Sequence, residues 1–248
     1  MRGQPGVPLM RAFTAFMLLL AWPAYAAEPV DVVLVLVSDV SRSVDDSEFH
    51  MEKQGYVAAF TDPRVLNAIR GGPVGAIAVA YVEFAGPYEV RTVLPWQVVH
   101  DAASAEAFTQ ALDAAPRSFA GRTSISAGID RAMSLLQSSG YEATRRVIDV
   151  AGDGTNNSGR DVQAARDEAV EAGVTINGLA IINEHPVSYT YAHVQPPGGL
   201  TEWYREHVTG GPGSFVVEVR EFSQFGEALT RKLISEIAAL PVPGKGPS

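Results

Sequence analysis

The sequence contains no cysteine, and lysine is scarce. A chain without cysteine forms no disulfide and carries no lipid anchor attached through that residue. The three lysines, Lys53, Lys232 and Lys245, lie far apart, and the formal net charge is −9. Surfaces that bind nucleic acid concentrate Lys and Arg, so the composition argues against a nucleic-acid partner.

Long hydrophobic runs are also rare, and the clearest one lies near the N-terminus, over residues 12–22. Arg2 and Arg11 precede this run and Ala24-Tyr25-Ala26 follows it. Positive charge, an apolar stretch and an A-x-A site in this order are typical of a secretory signal. We therefore predict a signal peptide over residues 1–26, cleaved after Ala26. The product is then periplasmic or secreted, without stable membrane insertion; the alternative is an N-terminal anchor or a buried helix.

The remaining sequence has an ordinary globular composition, and it alternates between strand and helix patterns. Its length suits one α/β domain over residues 27–240, with a disordered tail over 241–248. Alternating strands and helices predict a mostly parallel sheet covered by helices on both faces. The predicted strands are 31–38, 74–84, 88–96, 146–151, 174–182 and 214–219. The predicted helices are 45–70, 101–113, 125–138, 161–172 and 221–238.

Two segments interrupt this alternation. Only Ala85-Gly86-Pro87 separates the second and third strands, which predicts an antiparallel hairpin. Residues 183–213 are rich in Pro and Gly and predict a loop-rich insertion with a short helix near 200–208. Within the insertion, Trp203 and Tyr204 either form an aromatic contact surface or hold the loop against the body of the domain.

Polar side chains follow the first strand and the strand at 146–151, where an open α/β sheet binds its ligands. Asp39, Ser41 and Ser43 follow the first strand, and Asp153 follows the later one. Thr123 supplies a further hydroxyl before the helix at 125–138. Ligands that are all oxygen select hard cations, and Mg²⁺ takes six oxygens, some of them from water. We predict that these five residues hold Mg²⁺, with Mn²⁺ and Ca²⁺ as alternatives.

These motifs resemble the von Willebrand factor A (VWA) domain. The run from Asp39 to Ser43 matches the D-x-S-x-S signature with which that family's metal ion-dependent adhesion site (MIDAS) begins. Thr123 and Asp153 match the family's separate threonine and late aspartate. The likeness extends over residues 31–238. The sequence is similar in particular to bacterial exported proteins built from this domain alone. The resemblance implies a Rossmann-like three-layer αβα fold, whose mostly parallel sheet has one antiparallel edge strand.

The resemblance also implies a function. In the family the serines and threonine bind the ion directly, the aspartates often act through water, and a partner protein supplies an Asp or Glu. The chain is thus expected to be a non-enzymatic, adhesion-type binding module. It departs from the family pattern at Ala151-Gly152, where a hydrophobic residue and Thr or Ser are common. It departs again at Arg122, which replaces a common glycine and places a positive charge beside the site.

Three other interpretations compete with this one. The polar residues could be local caps and turns, with Ser41, Ser43 and Thr123 capping helices and Asp153 in a turn. The chain could be a metal-dependent hydrolase of phosphate or ester substrates, although the sequence offers no clear general base. It could also be a VWA scaffold without metal. The histidines match no zinc signature, and no Walker A, G-x-S-x-G or G-x-G-x-x-G motif is present.

Overall fold

The structure is a computed structural model, and it describes residues 27–182, 196–220 and 224–238. The predicted signal peptide and tail, and residues 183–195 of the predicted insertion, lie outside the described residues. The assignment of residues 1–26, 27–240 and 241–248 to a signal peptide, a domain and a tail therefore stays a prediction.

The described part of the chain forms six strands and seven helices. The strands are β1 (Glu28–Asp39), β2 (Ile77–Phe84), β3 (Val90–Val99), β4 (Tyr141–Gly152), β5 (Thr175–Ile181) and β6 (Val216–Val219). The helices are α1 (Asp46–Thr61), α2 (Pro63–Arg70), α3 (Ala102–Ala114), α4 (Ile125–Gln137), α5 (Val162–Glu171), α6 (Leu200–His207) and α7 (Phe225–Ala238).

The strands form one sheet in the order β3-β2-β1-β4-β5-β6. Only β3 is antiparallel, and it pairs with β2 at one edge. The other neighbours are parallel, including β1 with β4, where Ser38 lies opposite Ala151. The predicted three-layer fold and its antiparallel edge strand are confirmed.

Two hydrophobic cores lie on the two faces of this sheet, because successive side chains of a strand point to opposite sides. On β1, Val32, Leu34 and Leu36 enter one core, while Val33, Val35 and Val37 enter the other. The first core is closed by α1, α2, α3 and α7, and the second by α4, α5 and α6. Both faces of the central strands are thus buried, as their uninterrupted apolar runs predict.

Two differences from the sequence prediction are larger than shifts of a few residues at the ends of strands and helices. The helix predicted over residues 45–70 is two helices, because Asp62 caps α2 and Pro63 occupies its first turn. Strand β4 begins five residues before the predicted start at 146. Its extra residues alternate between partly buried and exposed positions, and they pair with the exposed start of β1. A charged, half-exposed extension of this kind lacks the hydrophobic run on which the prediction depended.

The first core encloses a cluster of charged and amide side chains. Lys232 on α7 forms ion pairs with Asp149 on β4 and with Glu236 one turn along α7. Asn177 Nδ2 on β5 donates a hydrogen bond to Glu236 Oε1 at 2.9 Å. Lys232, Asp149 and Glu236 are fully buried, so this cluster attaches the last helix to the middle of the sheet.

One ammonium group in this cluster faces two carboxylates, and this imbalance affects their protonation. Burial, followed by the charge of Asp149, raises the pKa of Glu236 to about 7, against the opposing effects of Lys232 and Asn177. Burial also raises the pKa of Asp149. Near neutral pH the cluster therefore gains or loses a proton more readily than an exposed pair of acids would.

The raised pKa of Glu236 predicts a pH-dependent stability. The folded protein holds this proton more tightly than the unfolded chain, whose carboxyl titrates near 4.5. The free energy of unfolding should therefore fall as pH rises from about 4.5 to about 7, by at most about 1.4 kcal/mol per pH unit for one proton, and this contribution should level off at higher pH. Urea unfolding at a series of pH values in EDTA measures this slope.

Replacing Glu236 by Gln removes the titration, so the Glu236→Gln variant should show a shallower slope than the wild type. Glu227 lies on the exposed side of the same helix. The Glu227→Gln control should leave the slope between about pH 5 and pH 8 unchanged. Equal slopes in the wild type and the Glu236→Gln variant would contradict the assignment.

Candidate functional site

Three loops meet at the edge of the sheet where the parallel strands end. Strand β1 ends at Asp39, and the first loop, which follows it, carries Ser41 and Ser43. The second precedes α4 and carries Thr123, and the third follows β4 and carries Asp153. Because β1 and β4 are neighbours in register, the first and third loops begin side by side.

A chain of hydrogen bonds joins these side chains. Thr123 Oγ1 donates to Ser41 Oγ at 3.0 Å, and the hydroxyl oxygens of Ser41 and Ser43 are 3.1 Å apart. Ser43 Oγ donates to Asp153 Oδ1 at 3.0 Å. Asp39 Oδ1 accepts from the backbone N–H of Ser41 at 2.7 Å. The five residues predicted from the sequence therefore lie together in one polar cluster.

The cluster is buried on one side and reachable on the other. Asp39, Ser41, Thr123 and Asp153 are all buried, whereas Ser43 is partly exposed. Arg42, which stands between Ser41 and Ser43, and Arg122, which directly precedes Thr123, are both exposed. A molecule in solution can thus approach the cluster from the side of Ser43.

The interpretation of these residues as helix caps does not hold. Helix α1 is capped by Asp45, whose carboxylate accepts from Glu48 N while the Glu48 carboxylate accepts from Asp45 N. This is the capping box that the sequence predicts. At α4 the N-cap position is Ser124, not Thr123, and the first-turn N–H of Ser126 donates instead to Asn156 Oδ1 at 3.1 Å. Ser41, Ser43 and Thr123 are therefore not needed for capping.

Arg117 supports the first loop from within. Its Nη2 lies within hydrogen-bond distance of three carbonyl oxygens of that loop, those of Val40 (2.8 Å), Ser41 (2.7 Å) and Val44 (2.8 Å). Its Nε donates to Phe119 O at 2.9 Å. The guanidinium group thus fixes the backbone that carries Ser41 and Ser43. Sequence reasoning missed Arg117, because an arginine in a loop at 115–124 gives no sign of where its side chain lies.

Asn157 and Ser158 hold the second loop against the third. Asn157 Oδ1 accepts from Thr123 N at 3.1 Å, and the backbone N–H groups of Asn157 and Ser158 donate to Thr123 O at 3.0 and 3.1 Å. Both residues belong to the segment that follows Asp153, so Thr123 and Asp153 are fixed relative to each other. The run of Asn, Ser and Gly after Asp153 was an available signal, since such residues bond to nearby backbone.

The packing around position 152 explains why this chain has glycine there, where Thr or Ser is common in the VWA pattern. A Cβ atom at this position would lie 2.6 Å from the hydroxyl of Tyr204 and 3.1 Å from Asp39 Cβ. Tyr204 belongs to α6 and is fully buried in the second core. Helix α6 thus packs over the strand end beside Asp39, and the close approach excludes a side chain at 152.

The packing of α6 also distinguishes between the two roles considered for Trp203 and Tyr204, an aromatic contact surface or attachment to the body of the domain. Tyr204 holds α6 against the sheet and is no contact surface. Trp203 is partly buried against the same core, and its ring stacks on His207 with centroids 5.0 Å apart. Tyr189 and Tyr191, the other members of the aromatic surface considered from the sequence, lie outside the described residues.

Glu52 on α1 is the titratable group beneath the cluster. Burial raises its pKa to about 8; the negative charges of Asp39, Glu83 and Asp153 add to this, and the Ser38 hydroxyl acts against it. Glu52 is therefore largely protonated at neutral pH. Together with Asp153 it lines a cavity of about 10 Å³, enough for one water molecule at most.

The donor set of the cluster fits a hard cation. It offers two carboxylates and three hydroxyls, with no nitrogen or sulfur, and oxygen ligands of this kind suit Mg²⁺, Mn²⁺ or Ca²⁺. Two carboxylates balance a divalent charge. Among the described residues no group of three or more His, Cys, Asp or Glu side chains is arranged to hold a metal ion. A site here would therefore depend on hydroxyl groups as much as on acids.

Comparison with solved structures identifies the fold. The chain is similar to proximal thread matrix protein 1 from the mussel byssus, with a TM-score of 0.59 and 17% identity over 84% of this chain and 48% of that one. It is similar to a von Willebrand factor type A protein from Catenulispora acidiphila, with a TM-score of 0.56 and 15% identity over 84% and 43% of the two chains. The chain has the VWA fold.

The pilus adhesin SpaC from Lactobacillus rhamnosus GG is also similar, with a TM-score of 0.58 and 15% identity over 84% of this chain and 31% of that one. A further structure of the mussel protein has a zinc-occupied MIDAS motif; its TM-score is 0.57 at 17% identity, over 85% and 49% of the two chains. This chain spans less than half the length of each of these proteins.

The family follows from the sequence itself. Residues 29–241 match the model of DUF1194, described as a protein of unknown function, and the chain belongs to this family. No curated protein matches the sequence. Within the described residues no helix is long and apolar enough to cross a membrane.

The contacts of Arg117 predict a large effect of a conservative substitution. The Arg117→Lys variant keeps the charge, but one ammonium group cannot reach both Phe119 and the carbonyls of the first loop. The free energy of unfolding in EDTA should fall by about 2 kcal/mol, since hydrogen bonds to a charged group are lost. The Arg91→Lys control, at an exposed position of β3, should change it by no more than about 0.5 kcal/mol. Equal losses in both variants would show that the contacts of Arg117 do not stabilise the loop.

The approach of Tyr204 to Gly152 predicts a coupled pair of substitutions. Gly152→Ala should lower the free energy of unfolding by roughly 1–3 kcal/mol, because the new Cβ overlaps the Tyr204 hydroxyl. In a Tyr204→Phe background, which lacks that hydroxyl, the same change should cost less. Urea unfolding of the four proteins measures the coupling. If Gly152→Ala has the same effect in both backgrounds, the clash is not the reason for this glycine.

Proposed function

We propose that this protein is an exported, non-enzymatic adhesion module of the VWA class that binds a partner protein through one divalent cation. Asp39, Ser41, Ser43, Thr123 and Asp153 would hold Mg²⁺, or else Mn²⁺ or Ca²⁺. When bound, the ion would supply an electrophilic centre that accepts a carboxylate oxygen from an Asp or Glu of the partner.

The observation that carries the proposal is the chain of hydrogen bonds from Thr123 through Ser41 and Ser43 to Asp153. Three hydroxyls and a carboxylate from three loops lie within contact of one another at the strand ends. Hydroxyls that bond to each other in this way can turn their oxygen lone pairs toward a cation. The zinc-occupied MIDAS of the mussel protein supports a divalent cation in this fold.

The roles of the chain's own residues follow from their positions. Asp39 and Asp153 would balance the charge of the ion, and the three hydroxyls would orient it without adding charge. Arg117 and Asn157 would keep the loops in place, so that little reorganisation accompanies binding. Ser43 marks the side from which the partner would approach, because it is the partly exposed member of the cluster.

The hydrolase alternative needs a general base beside the ion. Glu52, which is not among the proposed ligands, lines with Asp153 a cavity of about 10 Å³ that leaves no room for a substrate. It is also fully buried on the inner side of the cluster, away from any substrate that approaches past Ser43. These features favour binding over hydrolysis.

The metal-binding half of the proposal predicts the effect of removing one ligand. Asp39→Ala or Asp153→Ala should weaken Mg²⁺ binding at least about tenfold, because each change removes a carboxylate from the ion's surroundings. Calorimetric titration of chelator-treated protein with Mg²⁺ measures the affinity, and circular dichroism verifies the fold. Binding of a protein partner should then require the ion and stop when EDTA is added.

Asp167→Ala is the matched control, since Asp167 is an exposed acid on α5. Its affinity for Mg²⁺ should equal that of the wild type. If the wild type binds no divalent cation, the chain is a scaffold without metal. If both aspartate variants bind as tightly as the wild type, the ligands are wrongly assigned.

A further inference from the structure

The buried cluster around Lys232 carries reactive groups that the proposed function does not use. Lys232 Nζ lies 2.5 Å from Asp149 Oδ1 and 2.5 Å from Glu236 Oε1. All three side chains are completely buried, although lysine is among the residues least often found without solvent contact. An amine and a carboxyl group, the two components of an amide, are therefore in contact inside the core.

The first core encloses these groups and keeps water away from them. Asp149 lies on the same face of β4 as Val147, which belongs to that core, and the ring centroid of Phe215 lies 5.5 Å from Lys232 Nζ. Among the described residues, Asp149 Oδ2 and Glu236 Oε2 have no hydrogen-bond partner. Burying a carboxylate oxygen without a partner is costly, so an ion pair alone leaves this cluster incompletely compensated.

The three groups are able to exchange protons among themselves. Burial lowers the pKa of Lys232, but the negative charges of Asp149 and Glu236 more than offset this effect, and the net shift is upward. Burial raises the pKa of both acids, that of Glu236 to about 7. A proton that moves from Lys232 to Glu236 removes two buried charges at once. The neutral amine that remains is a nucleophile.

From this geometry we propose that Lys232 and Asp149 form an intramolecular amide bond, with Glu236 as the general acid and base. Lys232 Nζ attacks Asp149 Cγ, so that a C–N bond forms and one C–O bond of the carboxyl group breaks. Glu236 accepts a proton from the nitrogen and passes it to the departing oxygen, which returns Glu236 to its starting state. Two protons of the ammonium group and one oxygen of Asp149 leave as water, and nothing is oxidised or reduced.

Enclosure in the core favours this condensation in two ways. The reacting groups are already in contact, and well-oriented groups within one molecule react as if at about 10⁵–10⁸ M. In water an amine and an acid are stabilised as hydrated ions, which opposes their condensation. That stabilisation is lost when both groups are buried, whereas the amide is neutral.

The bond would join the last helix to a central strand of the sheet. Asp149 belongs to β4 and Lys232 to α7, so the bond would close a loop that includes α5, β5, α6 and β6. A cross-link of this kind restricts the unfolded chain, as a disulfide does. The sequence has no cysteine, so a covalent link between its side chains requires other residues. This inference is independent of the proposed function, because no candidate metal ligand takes part.

Mass spectrometry of the full-length protein tests the proposal. The purified wild type should be lighter by one water molecule than its amino-acid sequence, counted from its measured N-terminus, with or without EDTA. Trypsin cleaves after Lys and Arg. A digest should therefore contain peptide 147–160 joined to peptide 232–245, since a modified Lys232 is not cleaved. Fragmentation should place the link between Asp149 and Lys232.

A matched pair of variants on α7 tests the role of Glu236. Glu236→Gln should abolish the linked peptide, because an amide does not relay the proton. Glu227→Gln, at an exposed position of the same helix, should form the bond as completely as the wild type. Circular dichroism verifies that both variants fold.

Three results would overturn parts of the proposal. Wild-type protein that has the full mass of its sequence, and that yields peptides 147–160 and 233–245 separately, would show that no bond forms. A bond that forms equally in the Glu236→Gln protein would exclude Glu236 as the acid and base. A link from Lys232 to Asn177, with loss of ammonia in place of water, would show that Asp149 is not the acceptor.

Discussion

The register between β1 and β4 is the constraint on which the rest of the site depends. Because Ser38 pairs with Ala151 in parallel strands, Asp39 and Asp153 leave the sheet side by side, although they are far apart in sequence. The hydrogen bonds among Ser41, Ser43, Thr123 and Asp153 then join the loops that begin there. A slip of one strand would move these side chains to different faces and disperse the cluster. The packing of both cores on β1 makes such a slip costly, so the same residues that stabilise the fold also position the polar cluster.

Further polar groups support this edge of the sheet. Arg117 bonds the backbone beneath Ser41, Asn157 and Ser158 bond the backbone of Thr123, and protonated Glu52 lies below Asp153. Deeper in the first core, Lys232 connects α7 to Asp149 on β4, the strand that ends at the loop of Asp153. Networks of this kind are stabilising only when every member has a partner, and they resist substitution for the same reason. The loops of the site are therefore fixed by the body of the domain, as a preorganised binding site requires.

The fold and the five candidate residues could be predicted from the sequence because each depends on a local pattern. Buried parallel strands appear as continuous apolar runs, and the position of a polar motif directly after such a run places it at the strand ends. Arg117, the Lys232 cluster and the contact of Tyr204 with Gly152 could not be predicted in this way. Each is a contact between segments that are distant in sequence. No residue near Arg117 or Gly152 in the sequence indicates which group it contacts. The extended β4 was missed because its first residues are only half buried.

The central claim is that Asp39, Ser41, Ser43, Thr123 and Asp153 surround a single hard cation. Anomalous scattering from crystals of the protein grown with Mn²⁺ tests it most directly, because the position of the ion is then observed without reference to any partner. The account predicts one strong anomalous peak among the oxygens of these five side chains. A peak elsewhere on the chain, or no peak at this edge of the sheet in Mn²⁺-saturated crystals, would contradict it.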